Sequence, residues 1–130
     1  MSSVFSKIIR GDIPSFKIAE DHHYLAFLDI FPIAVGHVLV VPKNETDSIF
    51  DLNDQEYMGL WQFAKKTAKA IEKTIPCQRV GIAVIGLEVP HAHIHLIPLQ
   101  NLEDINFSKP KLRLDPDMMK GVAEKIISGF

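Results

Sequence analysis

Apolar and polar residues alternate strictly through His91-Ala92-His93-Ile94-His95-Leu96, between Pro90 and Pro98. A period of two predicts a half-buried strand, with Ala92, Ile94 and Leu96 toward the core and His91, His93 and His95 on the opposite face. Other β-type runs precede it. Residues 16–20 and 24–29 flank the turn Glu20-Asp21-His22-His23, which leaves His22 and His23 exposed. In the second of these runs Leu25, Phe27 and Asp29 share one face, and Ala26, Leu28 and Ile30 share the other. His37-Val38-Leu39-Val40-Val41, between Gly36 and Pro42, is a near-continuous apolar run and reads as a central strand. Residues 79–85 form a further run, joined to the histidine stretch by Gly86-Leu87-Glu88 and expected to pair with it antiparallel.

Helical spacing is as plain. Tyr57, Leu60, Trp61, Ala64, Ala68, Ile71 and Ile75 recur every three or four residues, while Lys65, Lys66, Lys69 and Lys73 take the other face. Asn53 with Glu56 marks the start of this long helix and Pro76 its end. Val4, Phe5, Ile8 and Ile9 form the apolar face of a short helix with a serine cap, closed by Gly11. That face reads either as ordinary core or as one wall of an apolar pocket. Asp115-Pro116-Asp117 opens a last helix, with Met118, Val122, Ile126 and Ile127 as its apolar face. Residues 100–114 are polar and irregular. The elements predict one α+β domain over residues 1–130, a mainly antiparallel sheet of about five strands with one long helix and short terminal helices.

Composition narrows the class. An apolar fraction of 47% in 130 residues suits a single globular core. The net charge of −2 is dispersed along the chain, so neither nucleic acid nor a membrane surface is expected as partner. The lone Cys77 makes no internal disulfide, and no apolar run approaches the ~20 residues of a membrane span. The N-terminus lacks the apolar centre of a signal peptide, so a cytoplasmic protein is expected.

The histidine row is where chemistry enters, since solvated strand faces usually carry Thr, Lys and Glu. One reading is a metal site, because strand residues i and i+2 are about 6.6 Å apart and His91 and His93 could share an ion. Residues i and i+4 are about 13 Å apart, so the three rings do not converge on one ion, and no third ligand is evident. The reading ranked first is a row of separate catalytic roles along an anionic substrate, one ring as nucleophile and others binding charge. His37, at the mouth of the central strand, is a fourth candidate. Asp29 reads either as a turn-initiating residue or as an acceptor for a hydroxyl pair. Glu88 reads on its own as an exposed loop charge.

His91-Ala92-His93-Ile94-His95-Leu96-Ile97 resembles the signature of the histidine-triad family, in which three histidines alternate with apolar residues. Phe5-Ser6-Lys7-Ile8-Ile9-Arg10-Gly11-Asp12-Ile13-Pro14 is similar to the family's N-terminal helix and turn. Leu25-Ala26-Phe27-Leu28-Asp29-Ile30-Phe31-Pro32 is similar to its ribose-binding strand, and Gly36-His37-Val38-Leu39-Val40-Val41-Pro42-Lys43 to the strand that follows. Together these stretches run from Val4 to about Pro98 and most resemble the branch of nucleoside phosphoramidases.

The resemblance implies a hydrolase or transferase acting on the α-phosphorus of a purine nucleotide. His93 would be the nucleophile, forming a nucleotidyl-histidine held in the right tautomer by the carbonyl of His91. His95 would bind the phosphate, with His37 and His91 completing the polar cluster. Asp29 would accept the ribose hydroxyls, and Val4, Phe5, Ile8, Phe27 and Ile30 would wall a slot for the base. A homodimer is implied, through the long helix and the strand at residues 79–85, and no cofactor is required. The chain departs from the family in three places. Val84 and Ile85 stand where relatives commonly place Asn or Gln. Glu88, after a shortened loop, stands near a leaving-group Ser or Thr, where a carboxyl group could donate a proton. Around Ser6 there is no C-x-x-C, so a structural zinc is not expected. Two other classes stay open, a nucleotide-binding or scaffolding module and a metalloprotein using His91 and His93, and the alternative substrate for the enzyme is a dinucleoside polyphosphate.

Overall fold

A computed structural model describes residues 2–130. Helix α1 is Val4–Arg10, and Ser3 caps it by accepting the amide of Ser6. Gly11 closes it at φ 83°, a left-handed conformation in which a Cβ would be strained. Strands β1 (Lys17–Glu20) and β2 (Tyr24–Leu28) form a hairpin whose turn is held by Asp21 Oδ1, which accepts the amides of His23 and Tyr24 at 2.8 Å each. His22 and His23 are exposed there. Strand β3 (Val38–Pro42) follows, then the long helix α2 (Asp54–Thr74), β4 (Arg79–Ala83), β5 (Ile94–Leu99) and helix α3 (Pro116–Ile127).

The five strands make one sheet in the order β1-β2-β3-β5-β4, with every neighbouring pair antiparallel. The pleat divides its side chains between two apolar clusters. Ala26, Leu28, Val38, Val40, Ile94 and Leu96 face α2 and α3, meeting Leu60, Ala64, Ile71, Met119, Ala123 and Ile126. Leu25, Phe27, Leu39 and Val41 face the other way, onto Phe5 and Ile8 of α1. Both faces of the central strands are covered, which explains their near-continuous hydrophobicity. Among the described residues no helix is long and apolar enough to cross a membrane.

Three expectations need correction. Strand β4 ends at Ala83, and the connection to β5 runs over residues 84–93, well beyond Gly86-Leu87-Glu88. His91 and His93 therefore precede the strand, and only His95 lies on it. On α3, Met119, Ala123 and Ile126 are buried, whereas Met118 and Ile127 are about half exposed. Ile126 is buried and Val122 packs against the core as expected, while Met119 and Ala123 take the places expected of Met118 and Ile127.

Candidate functional site

His95 sits mid-sheet, opposite Leu39 on β3 and Ala83 on β4, with its side chain on the α1 face. His37 immediately precedes β3. The two rings meet, His37 Nε2 to His95 Nδ1 at 3.0 Å. The amide of Ile33 donates to His37 Nδ1 at 3.2 Å, so the His37 proton is on Nε2 and is donated to His95 Nδ1. His95 is then left with its own proton on Nε2. A backbone amide thus sets, through two rings, which nitrogen of His95 is a donor.

His93 is set in the opposite sense. Its Nδ1–H donates to the backbone carbonyl of His91 at 2.7 Å, which leaves Nε2 as an unprotonated lone pair. The Phe5 ring meets it edge-on at 5.0 Å and the His95 ring at 4.9 Å. A nucleophilic nitrogen and a donor nitrogen thus occupy neighbouring rings.

His91 does not join them. The chain leaves the sheet before β5, with the Ala92 amide bonded to Thr46 O at 2.7 Å, and this turns the His91 ring away from the pocket. Its Nε2–H donates to Pro42 O at 2.8 Å, and its Nδ1 accepts from Ser3 Oγ at 2.7 Å. Ser6 Oγ and the Ser3 amide both donate to Glu45 Oε1, at 2.6 and 2.7 Å. The His91 ring is therefore a buried tether to α1, and only its carbonyl reaches His93. With both ring nitrogens engaged, His91 has none left to share an ion with His93.

The pocket above these rings is about 470 Å³, within the range of small-ligand sites. One end is apolar, lined by Val4, Phe5, Ile8, Ile13, Phe27, Leu39 and Val89, with the exposed Ile30 at the rim. The face of α1 is thus both core and wall, since Phe5 and Ile8 are buried in the cluster and also line the pocket. The other end presents His37, His93, His95, Asp29, Glu88, Phe107 and Lys111. Asp29 has the turn role, with Oδ1 accepting the Phe31 amide at 2.9 Å, and its Oδ2 lies 3.7 Å from His37 Nε2 at the pocket wall. That approach is not an ion pair, because His37 is neutral. Glu88 is exposed on the connection to β5, and Ile85 also lines the pocket.

Sequence reasoning missed Phe107 and Lys111. Residues 100–114 fold back over the site, through a short turn at Leu102–Ile105 and a bond from the Leu112 amide to Pro32 O at 2.8 Å. The Phe107 ring stands 4.8 Å from His95. No periodicity marks a segment of this kind.

Burial dominates the site's electrostatics. It lowers His93 and His91 below the ordinary histidine range, against the pull of the hydrogen bonds to the carbonyls of His91 and Pro42. Burial, the neighbouring rings and Lys111 push His37 down to about 3 and His95 down to about 4. The rings are uncharged at pH 7. Burial also raises Asp29, while the Phe31 amide and Lys111 act against it.

Among the described residues, Asp29, His37 and His95 form a trio whose ligand atoms lie within 4.8 Å of one another. The two nitrogens already satisfy each other through the 3.0 Å hydrogen bond, so a cation there would have to break it.

The architecture and pocket define an α+β protein with a neutral histidine cluster at one end of an apolar slot. Residues 10–102 match the HIT domain, and the chain belongs to that family. It is 37% identical over 131 residues to the adenosine 5'-monophosphoramidase of Schizosaccharomyces pombe, covering 98% of each chain. Among solved structures, it is similar to a HIT-like protein of Bartonella henselae, with a TM-score of 0.87, 27% identity and coverage of 99% of this chain and 96% of that one. It is also similar to a zinc-bound histidine triad family protein of Mycobacterium smegmatis, with a TM-score of 0.84, 30% identity and coverage of 99% and 93%.

Proposed function

We propose that the protein is a nucleotide hydrolase acting on the α-phosphorus of a purine nucleoside phosphoramidate or a related nucleotide, through a nucleotidyl-histidine at His93. The observation that carries this reading is the His93 tautomer. Its Nδ1–H is held by the His91 carbonyl, and Nε2 is a free, neutral lone pair. Attack by Nε2 forms the N–P bond as the bond to the leaving group breaks and its electron pair departs with that group. Water then attacks the same phosphorus, the N–P bond breaks, and a nucleoside monophosphate is released.

His95 Nε2–H is the donor next to that lone pair, suited to the non-bridging oxygens that gain charge in the transition state. His37 holds the His95 tautomer, and the His91 carbonyl holds that of His93. Asp29 Oδ2 would accept the ribose hydroxyls, with the base against Val4, Phe5, Ile8, Phe27 and Ile30. Glu88 would protonate a departing amine. Replacing it with Gln would slow poor leaving groups more than good ones. The relative named adenosine 5'-monophosphoramidase supports the phosphoramidate as substrate.

The test is AMP release from adenosine 5'-phosphoramidate by the wild type and by His93→Ala. Turnover that vanishes in the variant, with a trapped nucleotidyl-protein seen only in the wild type, is expected. Undiminished turnover in His93→Ala would defeat the covalent mechanism.

The same reading makes the protein a homodimer through α2 and β4. Strand β4 is an edge of the sheet, and Ile82, Val84 and Ile85 are exposed on it and just beyond. Sedimentation at micromolar concentration should give twice the 14.6 kDa chain mass, and a monomer would rule this out.

A further inference from the structure

The ionisable groups lining the pocket are three neutral histidines, two carboxylates and one ammonium, Lys111. Before any ligand enters, Asp29 and Glu88 outnumber the cation. An anionic phosphate therefore meets hydrogen-bond donors at His95 but only one positive charge, and that charge lies outside the histidine row.

The ammonium is held in place. Lys111 Nζ donates to Phe107 O at 3.0 Å and lies 5.6 Å from the centre of the Phe107 ring. That ring packs edge-on against His95 at 4.8 Å and against His37 at 6.2 Å. The segment is tied to the loop bearing Asp29 by the bond from the Leu112 amide to Pro32 O. Lys111 is thus one aromatic ring removed from the donor that faces the α-phosphorus. One of its three N–H groups is used, and two remain.

We infer that Lys111, carried on Phe107, is an anion subsite beyond the α-phosphate, and that it lets the site take nucleotides whose leaving group is negatively charged in addition to phosphoramidates. This rests on the proposed attack of His93 on the α-phosphorus. When the leaving group is a phosphate, the α-phosphorus–oxygen bond breaks and its electron pair stays on the departing oxygen. The ammonium stabilises that charge with no proton transferred. An amine leaving group gains nothing from Lys111 and needs a proton instead. The positive charge also offsets Glu88, which would otherwise repel a second phosphate.

The experiment is calorimetric binding of AMP and of α,β-methylene-ADP, in which a P–C bond replaces the α-phosphorus–oxygen bond that would break, to the wild type and to Lys111→Met. Lys111 is exposed, so the variant should fold as the wild type does. The expected result is a loss of at least tenfold in affinity for the methylene analogue, with AMP changed less than threefold. An equal or larger loss for AMP, or an unchanged affinity for the analogue, overturns the assignment. Failure of the underlying reading is seen separately, as no AMP release from adenosine 5'-phosphoramidate by the wild type, whatever Lys111→Met does to binding.

Discussion

Ser3 Oγ lies 2.7 Å from His91 Nδ1, across 88 residues of sequence, and joins the cap of α1 to the backbone that orients His93. The proton order around it is fully determined. The Ser6 amide donates to Ser3 Oγ, Ser3 Oγ–H donates to His91 Nδ1, and His91 Nε2–H donates to Pro42 O. Ser3→Ala removes a helix cap and leaves a buried ring nitrogen unsatisfied, for a cost of about 1–3 kcal/mol. Because the His91 carbonyl aims the His93 ring, kcat should fall more than KM rises. Thermal unfolding and steady-state kinetics on one preparation check both halves, and an unchanged kcat with a lowered Tm would reduce the network to a structural role.

The buried histidines give stability a defined pH dependence. An unfolded histidine titrates near 6.5, whereas folded His37 and His95 titrate at about 3 and about 4. Above pH 6.5 the rings are neutral in both states, so their contribution is complete. As pH falls below 6.5 the unfolded chain takes up protons that the folded rings refuse. Stability is lost down to about pH 3–4, at up to roughly 1.4 kcal/mol per pH unit for each ring. Glu45, held at about 2 by the Ser3 amide and the Ser6 hydroxyl, adds a loss of the same sign below its unfolded value of 4.5. Thermal melts from pH 8 to pH 4 should show a plateau and then a decline beginning near 6.5. A Tm constant down to pH 5 would contradict the neutral cluster.

Much of this fold was legible because pattern and packing agree. The alternation in β2 sends Leu25 and Phe27 one way and Ala26 and Leu28 the other, as expected. What misled was extended backbone outside the sheet. His91-Ala92-His93 carries the same alternation as β5, yet the Ala92 amide pairs with Thr46 rather than with a strand. Period two reports extended chain, not ladder pairing. On α3, Met118 and Met119 are adjacent and equally apolar, and the buried one is Met119, which lies on the same helix face as Ala123 and Ile126. Lys111 and Phe107 were not legible, since only tertiary folding brings an irregular segment over the histidines.

Two mid-helix glycines should respond oppositely to alanine. A Cβ on Gly59 would lie 2.0 Å from the hydroxyl oxygen of Tyr24, whose ring is packed and whose hydroxyl bonds Glu56 O at 3.2 Å. A Cβ on Gly121 would meet nothing within 4 Å. Alanine is favoured over glycine in a helix by about 0.8–1 kcal/mol, and overpacking costs about 1–3 kcal/mol. Gly121→Ala should therefore raise Tm and Gly59→Ala should lower it. Denaturant titration of the two variants decides the matter, and a stabilised Gly59→Ala would mean that Tyr24 yields freely.

Asp29 allows the sugar contact to be separated from the turn. Oδ1 accepts the Phe31 amide, while Oδ2 is open to the pocket. Asn in its place keeps an oxygen for the amide and so preserves the turn, but replaces the open carboxylate oxygen with an NH₂ donor. Burial already disfavours the Asp29 charge, so Asp29→Asn should leave stability unchanged or slightly raised. Hydrogen bonds to a charged acceptor contribute about 1.5–3 kcal/mol, which corresponds to roughly tenfold to a hundredfold in affinity. AMP should therefore bind Asp29→Asn about tenfold or more weakly than the wild type. The 2',3'-dideoxy nucleotide, which lacks both hydroxyls, should bind the two proteins alike. Equal losses for the two nucleotides would place Asp29 at the turn and not at the ribose.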